Sequence, residues 1–163
     1  MSADPILRLL GCDFPDLARS TRKIIGWYSW SNQISLPTFA GGIALSKKDY
    51  EGLARLALAV VINQICLELL KTVIPEIRPN GSTRSFPSGD TAAAFLGPAF
   101  LVFRYGPWSM PYMTMGMTIV AVTVAISRVL IRAHFVHDVA AGGVLGCSVM
   151  YLCLNVGKNS GKR

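Results

Sequence analysis

Three short blocks of this 163-residue chain hold its most reactive side chains. Lys71 is followed after six residues by Arg78-Pro79, and Phe86-Pro87-Ser88-Gly89-Asp90 opens a short apolar segment. Ser127-Arg128 is followed after five residues by His134, and after three more by Asp138. Each type has a job in phosphoryl transfer. Lys71, Arg78 and Arg128 can neutralise the equatorial oxygens of a phosphate, the arginines in bidentate fashion. Gly89 lets backbone N–H groups approach an oxyanion at a helix start, where the dipole favours negative charge, and Ser88 adds a hydroxyl donor. His134 can attack phosphorus in line to give a phosphohistidine. Asp138 is expected on the same helical face, holding the other N–H of the imidazole. Two histidines and scattered carboxylates close to cations make a poor metal set. The chemistry is expected to need neither metal nor other cofactor.

Helices crossing a membrane must carry these blocks. Hydrophobic residues make up 52% of the chain and charged residues 15%, against roughly a quarter charged in soluble domains. With a mean hydropathy of +0.43, an extended disordered chain is excluded, and too few charges remain to cover a soluble globule. The net charge of +7 would point to nucleic acid in a soluble protein, but no Lys/Arg stripe interleaved with aromatics exists. In a bilayer the excess belongs to basic loops and to sites for anionic groups, so no nucleic-acid partner is expected. Cys12, Cys66, Cys147 and Cys153 form no CxxC pair; three lie in apolar runs and are expected to be buried free thiols. The start, Met-Ser-Ala-Asp-Pro, puts an acid and a proline where a signal peptide wants a basic start, so no cleavable signal is expected.

Residues 1–23 mix Leu and Ile with Arg, Asp and Lys, which predicts an amphipathic helix at the interface. Residues 24–45 form a weak span with Trp27, Tyr28 and Trp30 as interfacial anchors. Residues 52–74 reach about 34 Å as a helix, enough for a ~30 Å hydrocarbon core. Residues 110–126 and 139–156 are further spans, whereas 91–105, with Gly97 and Pro98, is short and must line a cavity. A polar tail, 157–163, follows the membrane domain of residues 24–156. The expected fold is an all-α integral membrane protein, a bundle of about five to six helices with its active site at one membrane face. Gly142 and Gly146 form a GxxxG step, expected to serve packing within the chain. Alternation from residue 52 onward puts Lys47, Lys48, Arg55, Arg104, Lys158, Lys162 and Arg163 on one side, expected to be cytoplasmic. The site would then face the non-cytoplasmic side of a cell or inner membrane, although five spans would put Arg8, Arg19, Arg22 and Lys23 there too.

The blocks read KTVIPEIRP (71–79), PSGD (87–90) and SRVLIRAHFVHD (127–138). They resemble the three-part signature of the type-2 phosphatidic acid phosphatase superfamily, KxxxxxxRP, PSGH and SRxxxxxHxxxD. The resemblance covers residues 52–156, and the spacings within the first and third blocks match completely. It implies a membrane enzyme that removes phosphate from a lipid phosphate or diphosphate without metal. By that carry-over Lys71, Arg78, Ser88, Gly89 and Arg128 bind phosphate, His134 is the nucleophile and Asp138 orients it.

Three departures stand out. Asp90 replaces the His that is the family's usual general acid. A helix N-terminus favours an ionised, inert N-cap there, whereas an adjacent dianionic phosphate favours a protonated donor. His137 is the other candidate for protonating the leaving oxygen, or else a solvated interfacial histidine. Only seven residues separate Pro79 from Pro87, leaving little chain for a lid. The first of the family's six spans is missing or reduced to the amphipathic N-terminus. Glu68 is expected to pair with Lys71, and Arg84 can reach a headgroup. Two alternatives use the same residues: a catalytically weak relative that binds anionic lipid, and a phosphotransferase with a lipid acceptor. The identity of the lipid and the oligomeric state are not encoded in these blocks.

Overall fold

A computed structural model describes residues 18–156. Five helices run in sequence: α1 (Arg19–Ser46), α2 (Tyr50–Val73), α3 (Gly89–Tyr105), α4 (Pro111–Leu130) and α5 (Val136–Asn155). Among the described residues there is no strand beyond one isolated bridge between Ile77 and Thr83. α2, α4 and α5 are long and apolar enough to cross a membrane, and outward-facing Leu58, Val61, Ile65, Ile119, Val144 and Leu152 coat their flanks. This is an integral membrane bundle.

α1 extends over 28 residues, about 42 Å at ~1.5 Å per residue. It begins upstream of the break expected at residue 23, so Arg19–Lys23 continue into the helix. The rest of the expected amphipathic segment, with Cys12, and the polar tail lie outside the described residues. Ser29 Oγ meets Ser127 Oγ at 2.5 Å and Tyr28 bonds Thr123 at 2.8 Å, while Leu36 lies against α3. α1 therefore runs antiparallel to α4, with its basic start at the end where α4 finishes. Trp27 and Trp30 are exposed there, as interfacial anchors require.

α3, only 17 residues long and about 26 Å by the same rise, packs against all four other helices. Its Ala92, Ala94, Leu96, Phe100 and Leu101 are almost fully buried. Small residues permit this crowding. A Cβ at Gly142 would stand 2.5 Å from the Ser88 carbonyl oxygen, and one at Gly146 2.2 Å from that of Ala92. The GxxxG step thus presses α5 onto the first turns of α3, an intramolecular use as expected. Cys153 is buried, and Cys66 and Cys147 are half-buried free thiols.

At the opposite end, Asp49 caps α2 through the Gly52 N–H at 2.9 Å. It also receives Arg104 in a fork, at 2.8 and 2.6 Å. That guanidinium, with help from Gly52 and Tyr105, holds the Asp49 carboxyl down at about 2. Arg55 bonds the carbonyls of Cys153 and Val156, satisfying the end of α5. These contacts close the loop end of the bundle away from the three sequence blocks.

Candidate active site

The three blocks meet at one end of the bundle: the end of α2, the loop 74–88, the start of α3, the end of α4 and the start of α5. The loop is a miniature hairpin. Arg78 N–H bonds the Ser82 carbonyl at 2.7 Å, and Ser85 N–H bonds the Glu76 carbonyl at 2.9 Å. The register shifts by one residue between these bonds, and the extra residue is Arg84, whose φ is 65°. That left-handed conformation costs a non-glycine residue roughly 1–2 kcal/mol, and it acts here as a bulge that turns Ser85 toward α5.

His134 is 3% exposed and lies in the turn between α4 and α5. Its backbone N–H, and that of Ala133, donate to the Arg128 carbonyl at 3.2 and 3.0 Å. The turn thereby ties nucleophile candidate to phosphate-binding candidate. The imidazole Nδ1 lies 3.4 Å from Asp138 Oδ2, off the line of a formed hydrogen bond. His134 does not share a helical face with Asp138, contrary to the expectation, because α5 begins only at Val136. Asp138 instead occupies the third helical position, where side chains lean back toward the N-terminus. Its Oδ2 accepts the Phe135 N–H at 2.9 Å. The same oxygen takes the Ser85 hydroxyl. Asp138 is fully buried, and its own carbonyl accepts the Ser88 N–H at 3.0 Å. Burial pushes the His134 imidazole below its ordinary value of 6.5; Asp138 opposes that, and Arg78 and Arg128 add to it. With Nδ1 turned toward Asp138, Nε2 is the ring nitrogen that remains as the nucleophile candidate.

Ser88 caps α3 and is fully buried, its hydroxyl 3.0 Å from that of Thr91. Lys71 reaches the same turn, its Nζ 3.5 Å from where a Gly89 Cβ would stand. Asp90 is not the N-cap. It sits one residue inside the helix, and its Oδ2 lies 2.9 Å from Arg128 Nε as an ion pair. Glu68 lies 4.0 Å from Lys71, as expected, but its closer partner is Arg84 at 2.5 Å. Among the described residues, six buried side-chain polar atoms have no hydrogen-bond partner, and four belong to Arg78, Arg128, His134 and Asp138. Unmatched hydrogen-bonding capacity is normally rare inside proteins; four of these six atoms gather at the end of the bundle where the three blocks meet.

Two contributors went unnoticed in the sequence, Ser85 and Glu76. His137 is not merely solvated: its Nε2 lies 2.9 Å from Glu76 Oε1 and 3.2 Å from Asp138 Oδ1. Its ring stacks on Phe86 and Phe135. Glu76, His137 and Asp138 also bring three potential metal-ligand atoms within 4.8 Å of one another. Their separations are those of a ring N–H between two carboxylates, and Asp138 spends its other oxygen on Ser85 and Phe135.

Comparison with known proteins shows what the chain resembles. The chain is 29% identical over 129 residues to a lipid A 4'-phosphatase of Helicobacter pylori, covering 72% of this chain and 63% of that protein. It is 32% identical over 124 residues to a phosphatidylglycerophosphatase B of Bacillus subtilis, covering 68% and 60%. The matched segment is thus less than two thirds of either relative's length. The fold matches the crystal structure of Aquifex aeolicus LpxE with a TM-score of 0.71 at 20% identity, over 91% of this chain and 92% of that one. It also matches a transmembrane PAP2-type phosphatidylglycerolphosphate phosphatase from Bacillus subtilis with a TM-score of 0.66 at 24% identity, over 90% and 81%. The family model described as the PAP2 superfamily spans residues 52–162, and with them all three blocks; the chain belongs to the PAP2 superfamily.

Proposed function

We propose that this protein is a membrane phosphatase that hydrolyses a lipid phosphate or diphosphate through a phosphohistidine, without a metal ion. The observation that carries the reading is the convergence of Lys71, Arg128 and the Ser88–Gly89 turn on the neutral, buried His134 backed by Asp138. In the first step His134 Nε2 attacks phosphorus while the bond from phosphorus to the lipid oxygen breaks. Asp138 offsets the positive charge that forms on the imidazole, and Lys71, Arg78 and Arg128 offset the charge on the phosphoryl oxygens. Substrate that takes Arg128 releases Asp90 beside the leaving group, and the Asp90 carboxyl gives a proton to the departing oxygen. Water then attacks the phosphohistidine, returns a proton to Asp90, and leaves inorganic phosphate and free His134.

The lipid is held with its phosphate at the headgroup level and its chains along the outward apolar flanks of the bundle. The site is assigned to the non-cytoplasmic face of a cell or inner membrane, because Lys47 and Lys48 lie in the loop at the far end and Lys71, Arg78 and Arg128 are committed to chemistry; Arg19, Arg22 and Lys23 at the start of α1 count against this orientation. Phosphate release from detergent-solubilised protein tests the reading. Phosphatidate, phosphatidylglycerophosphate, isoprenyl diphosphate and lipid A would be compared with soluble phosphate esters. At least one lipid should be hydrolysed by the wild type and not by His134→Ala; equal release from both proteins would overturn the assignment.

A second reading, a catalytically weak relative that binds anionic lipid, is favoured by the pairing of Asp90 with Arg128, which neutralises an arginine the phosphate needs. Lipid binding without turnover across that panel would select it.

A further inference from the structure

Glu76 and His137 occupy unspecified positions within the first and third blocks, yet His137 lies against Asp138, a fully buried member of the signature. His137 Nε2 stands 2.9 Å from Glu76 Oε1 and 3.2 Å from Asp138 Oδ1. The ring cannot turn freely, because it stacks on Phe135 at 5.4 Å and 11° and on Phe86 at 6.2 Å and 28°. Asp138 Oδ1 has no hydrogen-bond partner, whereas Oδ2 is occupied by Ser85 and Phe135 on the side that faces His134. The hairpin links the outer pair to the inner one, since the Ser85 N–H donates to the Glu76 carbonyl.

We propose that His137, held by Glu76, is a positioning residue for Asp138: it fixes the Oδ1 edge of the carboxylate so that Oδ2 stays aimed at His134 Nδ1. This rests on the proposed phosphohistidine reaction. It also gives His137 a different job from proton donation to the leaving oxygen, because its Nε2 is hydrogen-bonded to Glu76 and stands 3.2 Å from Asp138 Oδ1, the edge of that carboxylate away from His134. A dipole fixed against the carboxylate matters most when His134 becomes positive on phosphorylation, so the pair acts on turnover and not on substrate capture.

The test is a double-mutant cycle in the full-length detergent-solubilised protein, using a lipid phosphate that the wild type hydrolyses in a His134-dependent manner. His137→Gln should lower kcat about tenfold with KM changed less than twofold, and Glu76→Gln should lower kcat about threefold. In an Asp138→Asn background, neither substitution should lower the residual rate further. An equal fractional loss in that background, or a rise in KM at unchanged kcat, would overturn the proposal. So would a loss seen with lipid phosphates but absent with p-nitrophenyl phosphate, which marks a proton donor. Glu76 is a surface-side residue, so Glu76→Gln keeps the cycle readable if His137→Gln fails to fold. A wild type without His134-dependent release would instead remove the parent reading.

Discussion

Asp90 Oδ2 lies 2.9 Å from Arg128 Nε, joining the first turn of α3 to the last turn of α4 across the end of the bundle where the three blocks meet. The residue that departs from the family's PSGH block is therefore built into the site and does not serve as a local helix cap. The pair keeps a buried guanidinium neutralised, and a phosphate arriving at Arg128 competes directly with the carboxylate.

If Asp90 is the acid, removing its proton-carrying capacity should matter in proportion to how poorly the leaving group departs. Asp90→Asn keeps the size of the side chain but cannot deliver a proton. It should lower kcat for a lipid phosphate by on the order of 100-fold, while p-nitrophenyl phosphate, whose leaving group needs no acid, loses less than threefold. Asp90→His should restore most of the lipid activity. A fully active Asp90→Asn would remove the residue from the mechanism.

Ser85 donates its hydroxyl to Asp138 and is itself fully buried. Ser85→Ala removes one of the two donors on Asp138 Oδ2, leaving a lone-pair site of a buried carboxylate unmatched. We expect destabilisation of about 1–3 kcal/mol and a kcat lowered about tenfold, with KM nearly unchanged. Thermal unfolding in detergent and initial rates measure the two effects separately; loss of KM alone would place Ser85 in substrate binding.

His134 lies outside the spanning helices, and burial pushes its imidazole below 6.5. Because the folded value lies below the unfolded one, protons bind the unfolded chain better. This group's share of stability is complete above pH 6.5 and is lost as pH falls. The chain has only two histidines, so nitrogen-15 imidazole NMR can follow both, with His137→Gln giving the assignment. The His134 resonance should titrate with a midpoint below 6.5, and a midpoint at or above 6.5 would contradict the downward shift.

What the sequence made legible was chemistry at fixed spacing. The apolar runs gave α2, α4 and α5 to within a few residues, because spans need long uninterrupted apolar stretches. Lys71, Arg78, Arg128, His134 and Asp138 stood out by block spacing alone, and all five sit at one end of the bundle. The manner in which His134 meets Asp138 was not legible. The i+4 spacing reads as a shared helical face, but the helix starts after His134, and the contact comes from a side chain leaning back over the N-terminus. Ser85 and Glu76 escaped notice because their roles depend on the hairpin register. The bulge at Arg84, which turns Ser85 onto Asp138, leaves no mark in composition or periodicity. α1 was read as a weak span because its polar Ser29, Ser31 and Asn32 dilute its hydropathy; Ser29 proves to be a buried partner of Ser127.

The central claim is that His134 carries the phosphoryl group during turnover. Rapid acid-free quenching of the solubilised protein with a phosphorus-32-labelled lipid phosphate, followed by peptide mapping, reads this directly. The expected result is a base-stable, acid-labile label on the peptide containing His134, formed and discharged at least as fast as phosphate is released, and missing from His134→Ala. Steady phosphate release with no label on His134, or with undiminished release from His134→Ala, would contradict it.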